Sequence, residues 1–357
     1  MGNSSSTEIP AQYKRIVLQE PASDLAEAKL VVETVDMCKP KSGEVLIKVI
    51  AAPVNPSDYG EWSHVISGDF EPKAQGKEGS GIVVASGGGV YANSCVGKRV
   101  GFVSNVKGEG SYAEYTCVNA LEGIFPLPDN VEVADAASHF VNPYTAYGFL
   151  DTVRARHYGK SRPGFVHTAA ASQLGQMLVK LCKKEKVTLI NVVRRQEQAD
   201  TLRALGAEHV VVSSEEGWED RLQELIKENK IQLAFDAIAG EMSGKLLDLL
   251  PPKGTLFVYG KLSNQGCSGI QPLNLIYRKK KLEGFLLTNW IMQGDSSLNM
   301  LMRLRNATAS VHEGLSEKDG WSTSHFKDCT IDSMWTEFVK MYKETGFTGE
   351  KLRIKFD

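Results

Sequence analysis

Two adjacent arginines, Arg194 and Arg195, follow an apolar, β-branched run at residues 187–193. Upstream of that run, residues 168–172 read Thr-Ala-Ala-Ala-Ser and carry no bulky side chain. A small-residue turn before a helix lets phosphate approach the unpaired N–H groups and the positive dipole end of that helix. A guanidinium pairs bidentately with phosphate and also stacks on adenine. These residue types therefore indicate a site for a phosphorylated nucleotide.

The elements that must position this chemistry are a strand, a turn, a helix and a second strand. Residues 165–167 form a short apolar run, and Leu174, Met177, Leu178 and Leu181 recur at helical spacing. The second strand is mainly apolar and β-branched, as is typical of a strand buried on both faces. The turn departs from the usual GxGxxG fingerprint, since only one glycine remains. The residues predicted to lie at the pyrophosphate are Ser172, Gln173, Leu174 and Gly175.

The arginine pair also indicates which dinucleotide is bound. NAD-binding units carry an acidic residue about 20 positions beyond the glycine turn, whereas a cation there accommodates the 2′-phosphate of NADP. Arg194 and Arg195 occupy that place and favour NADPH over NADH; the alternative is a solvated pair of charges after a strand. Tyr259 and Gly260 end a later strand at the carboxyl edge of the sheet, where ligands bind in open α/β folds.

Length and composition limit the classes of protein to consider. A chain of 357 residues favours two domains, and 41 Lys plus Arg against 43 Asp plus Glu gives no field that would attract nucleic acid. The six cysteines show no metal-ligand spacing, which is typical of reduced thiols in a cytoplasmic enzyme. No apolar run is long enough to cross a bilayer, and no secretory signal is recognisable.

The N-terminal sequence Met-Gly-Asn-Ser-Ser-Ser matches the N-myristoylation pattern at Gly2. The alternative is an unmodified, disordered polar tail. Because a single acyl chain binds membranes only marginally, we expect a cytoplasmic protein whose membrane association, if Gly2 is acylated, is weak and reversible.

Two kinds of pattern divide the chain. Strand patterns dominate up to residues 127–128, and strand–helix alternation begins near residue 135; right-handed crossovers would stack the later strands into one parallel sheet. Residues 306–327 have no clear period and are predicted to be a loop. The predicted strands are 14–18, 44–51, 99–103, 112–118, 209–212, 232–238 and 255–259, and the other predicted helices are 135–150 and 218–228.

Several motifs in order resemble the zinc-independent medium-chain dehydrogenase/reductase superfamily, which includes quinone oxidoreductases and 2-enoyl thioester reductases. The resemblance implies an α/β protein in which a Rossmann domain, a doubly wound parallel sheet, is inserted in a GroES-like β-barrel catalytic domain. The implied divisions are 1–134, 135–290 and 291–357, and the implied assembly is a homodimer. The matching segments are VNPSD at 54–58, GKEGSGIVV at 76–84, VGKRV at 96–100, GSYAEY at 110–115, NPYTAY at 142–147, LGAEHVV at 205–211 and GEKLRIKF at 349–356.

The resemblance also bears on metal binding. Asn55 and Lys77 stand where zinc-dependent relatives have Cys and His, so the ligands of a tetrahedral zinc site are missing, and no metal is expected. Glu78 is expected to close a structural ion pair.

Catalytic residues are expected on the loop that begins at Asn55. Tyr59 could donate a proton, although packing is the alternative role for its ring, and Asn55 could orient the nicotinamide or the substrate carbonyl. Mitochondrial-type enoyl thioester reductases carry a catalytic Tyr further along this loop, where this sequence has Ile66-Ser67-Gly68 and no Tyr.

The remaining cofactor contacts come from the resemblance alone. It places Thr145 beside the nicotinamide. The stretch 284–290, GFLLTNW, is similar to a segment of enoyl reductases that passes near the nicotinamide and marks the sheet edge where two subunits pair. Phe285 and Leu286 are its candidate contacts.

Without a Lewis acid, the hydride acceptor must already be electron-poor, and the protein must position it and stabilise the developing negative charge. We therefore expect an NADPH-dependent reductase of a small-molecule enoyl thioester or enone. An NADPH:quinone oxidoreductase is the first alternative. The second is an NADPH-binding sensor or interaction protein with little turnover.

Overall fold

A computed structural model describes residues 8–63, 70–104, 108–157, 162–294, 296–344 and 349–357. The chain forms two compact units. Unit 1 comprises residues 1–141 together with 323–357, and unit 2 comprises residues 142–322. Unit 1 is therefore discontinuous in sequence and contains both ends of the chain.

Unit 1 consists of two β-sheets with short helices. Its elements are β1 (Gln12–Glu20), β2 (Lys29–Asp36), β3 (Glu44–Pro53), α1 (Pro56–Trp62), β4 (Lys73–Ala74), β5 (Glu78–Ser86), α2 (Val90–Cys95), β6 (Arg99–Val103), β7 (Tyr115–Asn119), α3 (Ala120–Gly123) and β8 (Ile124–Pro126). Within the described residues, a three-stranded sheet has the order β2-β1-β4.

The larger sheet of unit 1 needs strands from both ends of the chain. The helix α4 (Val141–Ala155) follows a 3-10 turn at Ala134–Ser138, and the last elements of the chain are β15 (Phe326–Cys329), α12 (Met334–Glu344) and β16 (Lys351–Lys355). In the described part of the chain this sheet has seven strands, in the order β15-β16-β3-β5-β6-β8 with β7 paired to β3. This is the GroES-like arrangement expected from the sequence.

The alternating strands of unit 1 bury one face in a common core. In β3, Val45, Ile47 and Val49 are fully buried, as the period of two in a half-buried strand requires. Aromatic residues of α1 and α12 close this core, because the rings of Trp62 and Phe338 meet edge to face at 4.9 Å. Burying side chains of this size provides the main stabilisation of the unit.

Unit 2 is a parallel α/β fold. Its elements after α4 are β9 (Gly164–His167), α5 (Gln173–Lys184), β10 (Thr188–Val193), α6 (Gln196–Ala204), β11 (His209–Val212), α7 (Trp218–Glu228), β12 (Leu233–Asp236), α8 (Glu241–Leu249), β13 (Thr255–Val258), α9 (Pro272–Ile276), β14 (Lys281–Gly284), α10 (Leu287–Met292) and α11 (Ser297–Ser316). Among the described residues the six-stranded sheet has the order β11-β10-β9-β12-β13-β14, and every pairing is parallel.

This strand order reverses beside β9, which is the defining feature of a doubly wound Rossmann sheet. All six residues of β10 are buried, as expected for a strand covered by helices on both faces. The fold class predicted from the sequence is therefore confirmed.

The structure corrects two expectations about the end of unit 2. Residues 291–322 belong to unit 2, so the return to unit 1 occurs at Thr323 and not at residue 291. Much of the segment 306–327, predicted to be a loop, is helical, because α11 continues to Ser316. Ala307 and Val311 are fully buried and the Tyr144 hydroxyl bonds Thr308 at 2.7 Å, so tertiary packing stabilises a helix whose polar sequence shows no clear period.

A search of the described helices for a segment long and apolar enough to cross a membrane finds none.

Candidate functional site

The small-residue turn after β9 is held between the two neighbouring strands. The Thr168 backbone N–H donates to the Phe235 carbonyl at 3.1 Å, and the Ala170 N–H donates to the Val192 carbonyl at 3.3 Å. The Thr168 hydroxyl donates to Asp236 at 2.7 Å and accepts the Ala237 N–H at 2.9 Å. The turn is thus fixed at the carboxyl edge of the sheet, where ligands bind in this type of fold.

The alanines of the turn take over the roles of glycines. Ala169 has a φ of 50°, in the left-handed region that glycine normally occupies. Gly175 is retained because a Cβ built there would lie 2.0 Å from the Ala170 carbonyl oxygen. The GxGxxG fingerprint is therefore lost in sequence while the tight strand–helix approach that it supports is kept.

The first turn of α5 presents backbone N–H groups at this edge. Ser172 is the N-cap, and its Oγ accepts the Gly175 N–H at 3.2 Å. The side chains of Gln173 and Leu174 are buried. Because the first N–H groups of a helix lack intrahelical acceptors, these two residues can contact a pyrophosphate only through their backbone.

Arg194 and Arg195 lie directly after β10, and both are exposed. Their backbone N–H groups both donate to Gln198 Oε1 at 3.1 Å, so one side chain of α6 fixes the turn that carries them. Arg195 is 3.9 Å from Glu197, a contact that exposure to solvent makes weak. The exposed cations, the small turn and the helix terminus together fit the phosphates of NADPH.

Tyr259 and Gly260 lie at the same edge, after β13. The Tyr259 hydroxyl shares a hydrogen bond of 2.7 Å with His167 Nε2, and the two rings are nearly parallel. Burial lowers the pKa of His167 to about 3, so its imidazole is neutral. The hydrogen bond to His167 thereby fixes the Tyr259 side chain at the carboxyl edge of the sheet.

The other predicted cofactor contacts occupy different environments within unit 2. Thr145 is a partly exposed residue of α4. The Phe285 ring packs edge to face on Phe149 at 4.8 Å, and a Cβ at Gly148 would lie 2.9 Å from it, so Phe285 is part of an aromatic core. Leu286, by contrast, is 57% exposed.

The segment 284–290, expected to mark a sheet edge, belongs to an edge strand only through its first residue, Gly284. Its strand β14 is the edge of the sheet, but it ends at Gly284 and its residues are largely exposed. The helix α10 begins at Leu287.

In unit 1 the structure places the Asn55 side chain in a buried hydrogen-bond network, and its orientation of the nicotinamide or the substrate carbonyl stays a prediction. The Asn55 side chain is fully buried, its Nδ2 donates to Glu78 at 2.9 Å, and its Oδ1 accepts the Lys351 ammonium at 2.8 Å. Lys351 also donates to the Ser138 hydroxyl at 2.8 Å. Both polar ends of the amide are thus engaged in the interior, because a buried ammonium requires acceptors.

Glu78 is the acceptor at the centre of this network. One carboxylate oxygen accepts the backbone N–H groups of Phe140 and Val141, each at 2.8 Å. Among the described residues, Lys351 reaches Glu78 through Asn55 and Ser138, and no direct ion pair of Glu78 is found. The expected ion pair is therefore replaced by a hydrogen-bonded bridge.

Tyr59 is half-buried and lies against aromatic neighbours. Its ring centroid is 5.7 Å from that of Phe338 and 6.3 Å from that of Trp62. Burial, with the adjacent Asp58 carboxylate as a smaller cause, raises the pKa of the phenol. The packing role is thus observed, and proton donation by Tyr59 stays a prediction.

Asp58 was not singled out from the sequence, yet it organises the start of α1. Its Oδ2 accepts the Asn55 N–H at 2.8 Å and the Tyr112 hydroxyl at 2.7 Å. Burial raises the pKa of Asp58 to about 6, against the opposing effect of Lys77. A polar residue three positions after an N-cap Asn is the sequence signal that could have identified this role.

Two of the remaining site predictions concern residues that the structure does not describe. The last concerns a metal site. Gly2 and the segment Ile66-Ser67-Gly68 lie outside the described residues. A search of the described residues finds no group of three or more His, Cys, Asp and Glu side chains able to hold a metal ion.

Comparison with known proteins finds two matching family models and similar reductases. Residues 41–129 match the family model of the alcohol dehydrogenase GroES-like domain, and residues 174–303 match that of zinc-binding dehydrogenases. The mitochondrial enoyl-[acyl-carrier-protein] reductase of Xenopus tropicalis is 30% identical over 303 residues, covering 77% of this chain and 81% of that protein.

Two solved structures are also similar. A candidate NADPH:quinone reductase of Mesorhizobium loti is 29% identical with a TM-score of 0.84, over 98% of this chain and 100% of that chain. The quinone oxidoreductase of Escherichia coli, solved in complex with NADPH, is 20% identical with a TM-score of 0.75, over 95% and 99% of the two chains.

Proposed function

Because this chain belongs to the zinc-independent medium-chain dehydrogenase/reductase superfamily, we propose that it reduces the activated carbon–carbon double bond of an enoyl thioester or an enone. The chain is an NADPH-dependent reductase. The observation that carries the choice of coenzyme is the exposed pair Arg194 and Arg195, held at the carboxyl edge of the sheet by Gln198. The choice of acceptor is supported by the enoyl reductase relative, which aligns over most of both chains.

Different residues of this chain bind the coenzyme and donate the proton. The first turn of α5 and the small-residue turn receive the pyrophosphate, and the two arginines receive the 2′-phosphate. NADPH, when bound, supplies the hydride. Tyr59 is the proposed proton donor: its raised pKa keeps the phenol protonated through neutral pH, so it yields its proton only to a strongly basic enolate.

A substrate panel tests this function. Purified protein is assayed with NADPH against 2-enoyl thioesters of several chain lengths, alkenals and quinones, with an Arg194→Ala, Arg195→Ala double variant as the control for the coenzyme site. We expect turnover of at least one enoyl substrate by the wild type, together with a much larger KM for NADPH in the double variant. Negligible turnover of every enoyl substrate would refute the proposal.

Quinone reduction is the second candidate. The similarity to the candidate NADPH:quinone reductase over the full length of that chain favours it. Quinones accept hydride without a Lewis acid, as enones do. A kcat/KM for quinones that exceeds the value for every enoyl substrate in the same panel would establish this alternative.

A nucleotide-binding protein with little turnover is the third possibility. The conformation of Ala169 shows that the alanine-rich turn still adopts the shape of a glycine turn, which argues for a working coenzyme site. Binding of NADPH in calorimetry without its oxidation by any acceptor of the panel would support the sensor instead.

We further propose that the protein is a homodimer that pairs through β14. Among the described residues this strand is one edge of the sheet in unit 2, and the outer side of an edge strand can pair with the backbone of a second copy. Exposed apolar side chains accompany it in the neighbouring elements of unit 2. They include Leu273, Ile276, Tyr277, Leu282, Leu286 and Met292.

We also propose a cytoplasmic protein whose Gly2 is acylated, giving weak membrane association. Co-expression with an N-myristoyltransferase, followed by intact mass measurement, checks the modification. A Gly2→Ala variant serves as the control.

A further inference from the structure

Two cysteines far apart in the sequence meet in unit 1. Cys38 follows the end of β2, Cys117 lies in β7, and their Sγ atoms are 3.2 Å apart. Both side chains are half-buried. The sulfur of each cysteine is therefore close enough to the other to bond after a shift of about 1 Å, since a disulfide is about 2.05 Å long.

The thiol pair joins the two sheets of unit 1. Cys38 follows a strand of the three-stranded sheet, and Cys117 is opposite Leu46 in the seven-stranded sheet. Main-chain hydrogen bonds connect the three-stranded sheet to the residues just before β7, because Ile16 donates to the Tyr112 carbonyl at 2.8 Å and Glu114 donates to the Lys14 carbonyl at 3.0 Å. The backbone on both sides is thus fixed, which keeps the two sulfurs together.

The surroundings favour reaction at Cys38. The Cys117 thiol donates its hydrogen bond to the Cys38 sulfur, and this bond is the main cause that lowers the pKa of Cys38. The Tyr13 hydroxyl acts in the same direction, whereas burial and the nearby Glu109 carboxylate oppose the lowering of this pKa. Since the thiolate is the nucleophilic form of cysteine, Cys38 is the sulfur that reacts first with an oxidant.

We propose that Cys38 and Cys117 are a redox modification site, at which a hydroperoxide converts the two thiols into a reversible intramolecular disulfide. The Cys38 thiolate attacks one peroxide oxygen, the O–O bond breaks, and Cys38 becomes a sulfenic acid as water or an alcohol leaves. The Cys117 sulfur then displaces the hydroxyl of the sulfenic acid, and the S–S bond forms with loss of water. The two thiols lose two electrons and two protons, which the peroxide accepts; a dithiol reverses the step.

The test uses the full chain with Cys267→Ser, because Cys267 is exposed and would react by itself, whereas Cys95, Cys182 and Cys329 are buried. The protein is treated with hydrogen peroxide, alkylated under denaturing conditions, digested without reduction and mapped by mass spectrometry. We expect a peptide pair that joins Cys38 to Cys117, a mass lower by two hydrogens, and full reversal by dithiothreitol. Because the crosslink closes a long loop, the Tm should rise by on the order of 5 °C.

Matched variants separate the pair from general oxidation. In the same background, Cys38→Ser should abolish the crosslink and the Tm shift, and Cys117→Ser should leave Cys38 as a sulfenic acid that dimedone traps. The proposal is overturned if Cys38 and Cys117 both remain free thiols at a peroxide concentration that oxidises Cys267 in the wild type. A crosslink to another cysteine would also overturn it. The mapping on the Cys267→Ser protein decides the question even if either serine variant fails to fold.

Discussion

Gln198 shows how a neutral side chain positions a charged site at the scale of single residues. Its Oε1 accepts the backbone N–H groups of Arg194 and Arg195, which leaves both guanidinium groups exposed at the edge of the sheet. The sequence identified the two cations, since their distance from the turn indicates a 2′-phosphate site. It did not identify the glutamine that fixes them.

Replacing Arg194 tests the choice of coenzyme. For Arg194→Ala we expect the KM for NADPH to rise about 10-fold or more, equivalent to about 1.4 kcal/mol, because a charge-assisted contact with the 2′-phosphate is lost. The KM for NADH should change little. Arg203→Ala, in the helix α6 that follows the arginine pair and paired with Asp200, is the control and should leave both values unchanged. Equal losses with both coenzymes would contradict the assignment.

Asp58 gives a prediction about pH. Burial raises its pKa from 3.8 to about 6, so the folded state binds its proton more tightly than the unfolded state does. Its contribution to the free energy of unfolding is therefore fully present below about pH 4 and is lost as the pH rises through about 6. Asp58→Asn removes this titration. Relative to the wild type, the variant should gain about 2 to 3 kcal/mol between about pH 4 and about pH 8.

Urea unfolding across that pH range measures the difference. The control is Asp129→Asn, which removes a carboxylate whose side chain is fully exposed. A stability difference for Asp58→Asn that stays flat, or falls with rising pH, would contradict the raised pKa of Asp58 in the folded state.

At the scale of elements, strongly periodic segments were predicted well. The helix at Trp218–Glu228 and the strand at His209–Val212 match the prediction to the residue, because each depends on a local apolar pattern. The strand β2, the short helix α1 and most of α11 were missed. They form because distant parts of the chain pack on them, as Phe338 does on Trp62 of α1, and a local pattern does not contain that information.

The same limit applies to the site. The phosphate-binding residues lie in one continuous stretch, so their spacing alone reveals them. The network of Asn55, Glu78, Ser138 and Lys351 joins residues up to 296 positions apart. Only the fold shows that both polar atoms of the Asn55 amide are hydrogen-bonded in the interior.

The contact between β9 and α5 gives a test at this scale. In Gly175→Ala the new Cβ would lie 2.0 Å from a backbone carbonyl, so the helix must move away from the turn. We expect a loss of about 3 kcal/mol in the free energy of unfolding, together with weaker NADPH binding. In Gly60→Ala the Cβ meets nothing within 4 Å, and the change should stay within about 1 kcal/mol. Similar stabilities for the two variants would contradict the close packing at Gly175.

At the scale of the whole molecule, the proposed homodimer depends on the exposed edge of the sheet in unit 2. Unit 2 ends its sheet in the exposed strand β14, and Leu282 in this strand is 39% exposed. A lysine on an edge strand opposes pairing with another copy. We therefore expect the wild type to sediment as a dimer and Leu282→Lys to sediment as a monomer at the same concentration.

Leu121→Lys is the control for this prediction, because Leu121 lies in unit 1 and is 78% exposed. It should leave the sedimentation unchanged. A wild type that sediments as a monomer, or a Leu282→Lys variant that remains dimeric, would exclude pairing through β14.

The pairing of β3 with β16, where Arg353 lies opposite Pro53, has a consequence for biogenesis. Unit 2 is one uninterrupted stretch of chain and can complete its sheet during translation. The larger sheet of unit 1 must wait until β16 has left the ribosome, and until then the end of β3 at residues 51–53 lacks this partner. An unpaired strand edge of this kind is prone to aggregation in a nascent chain.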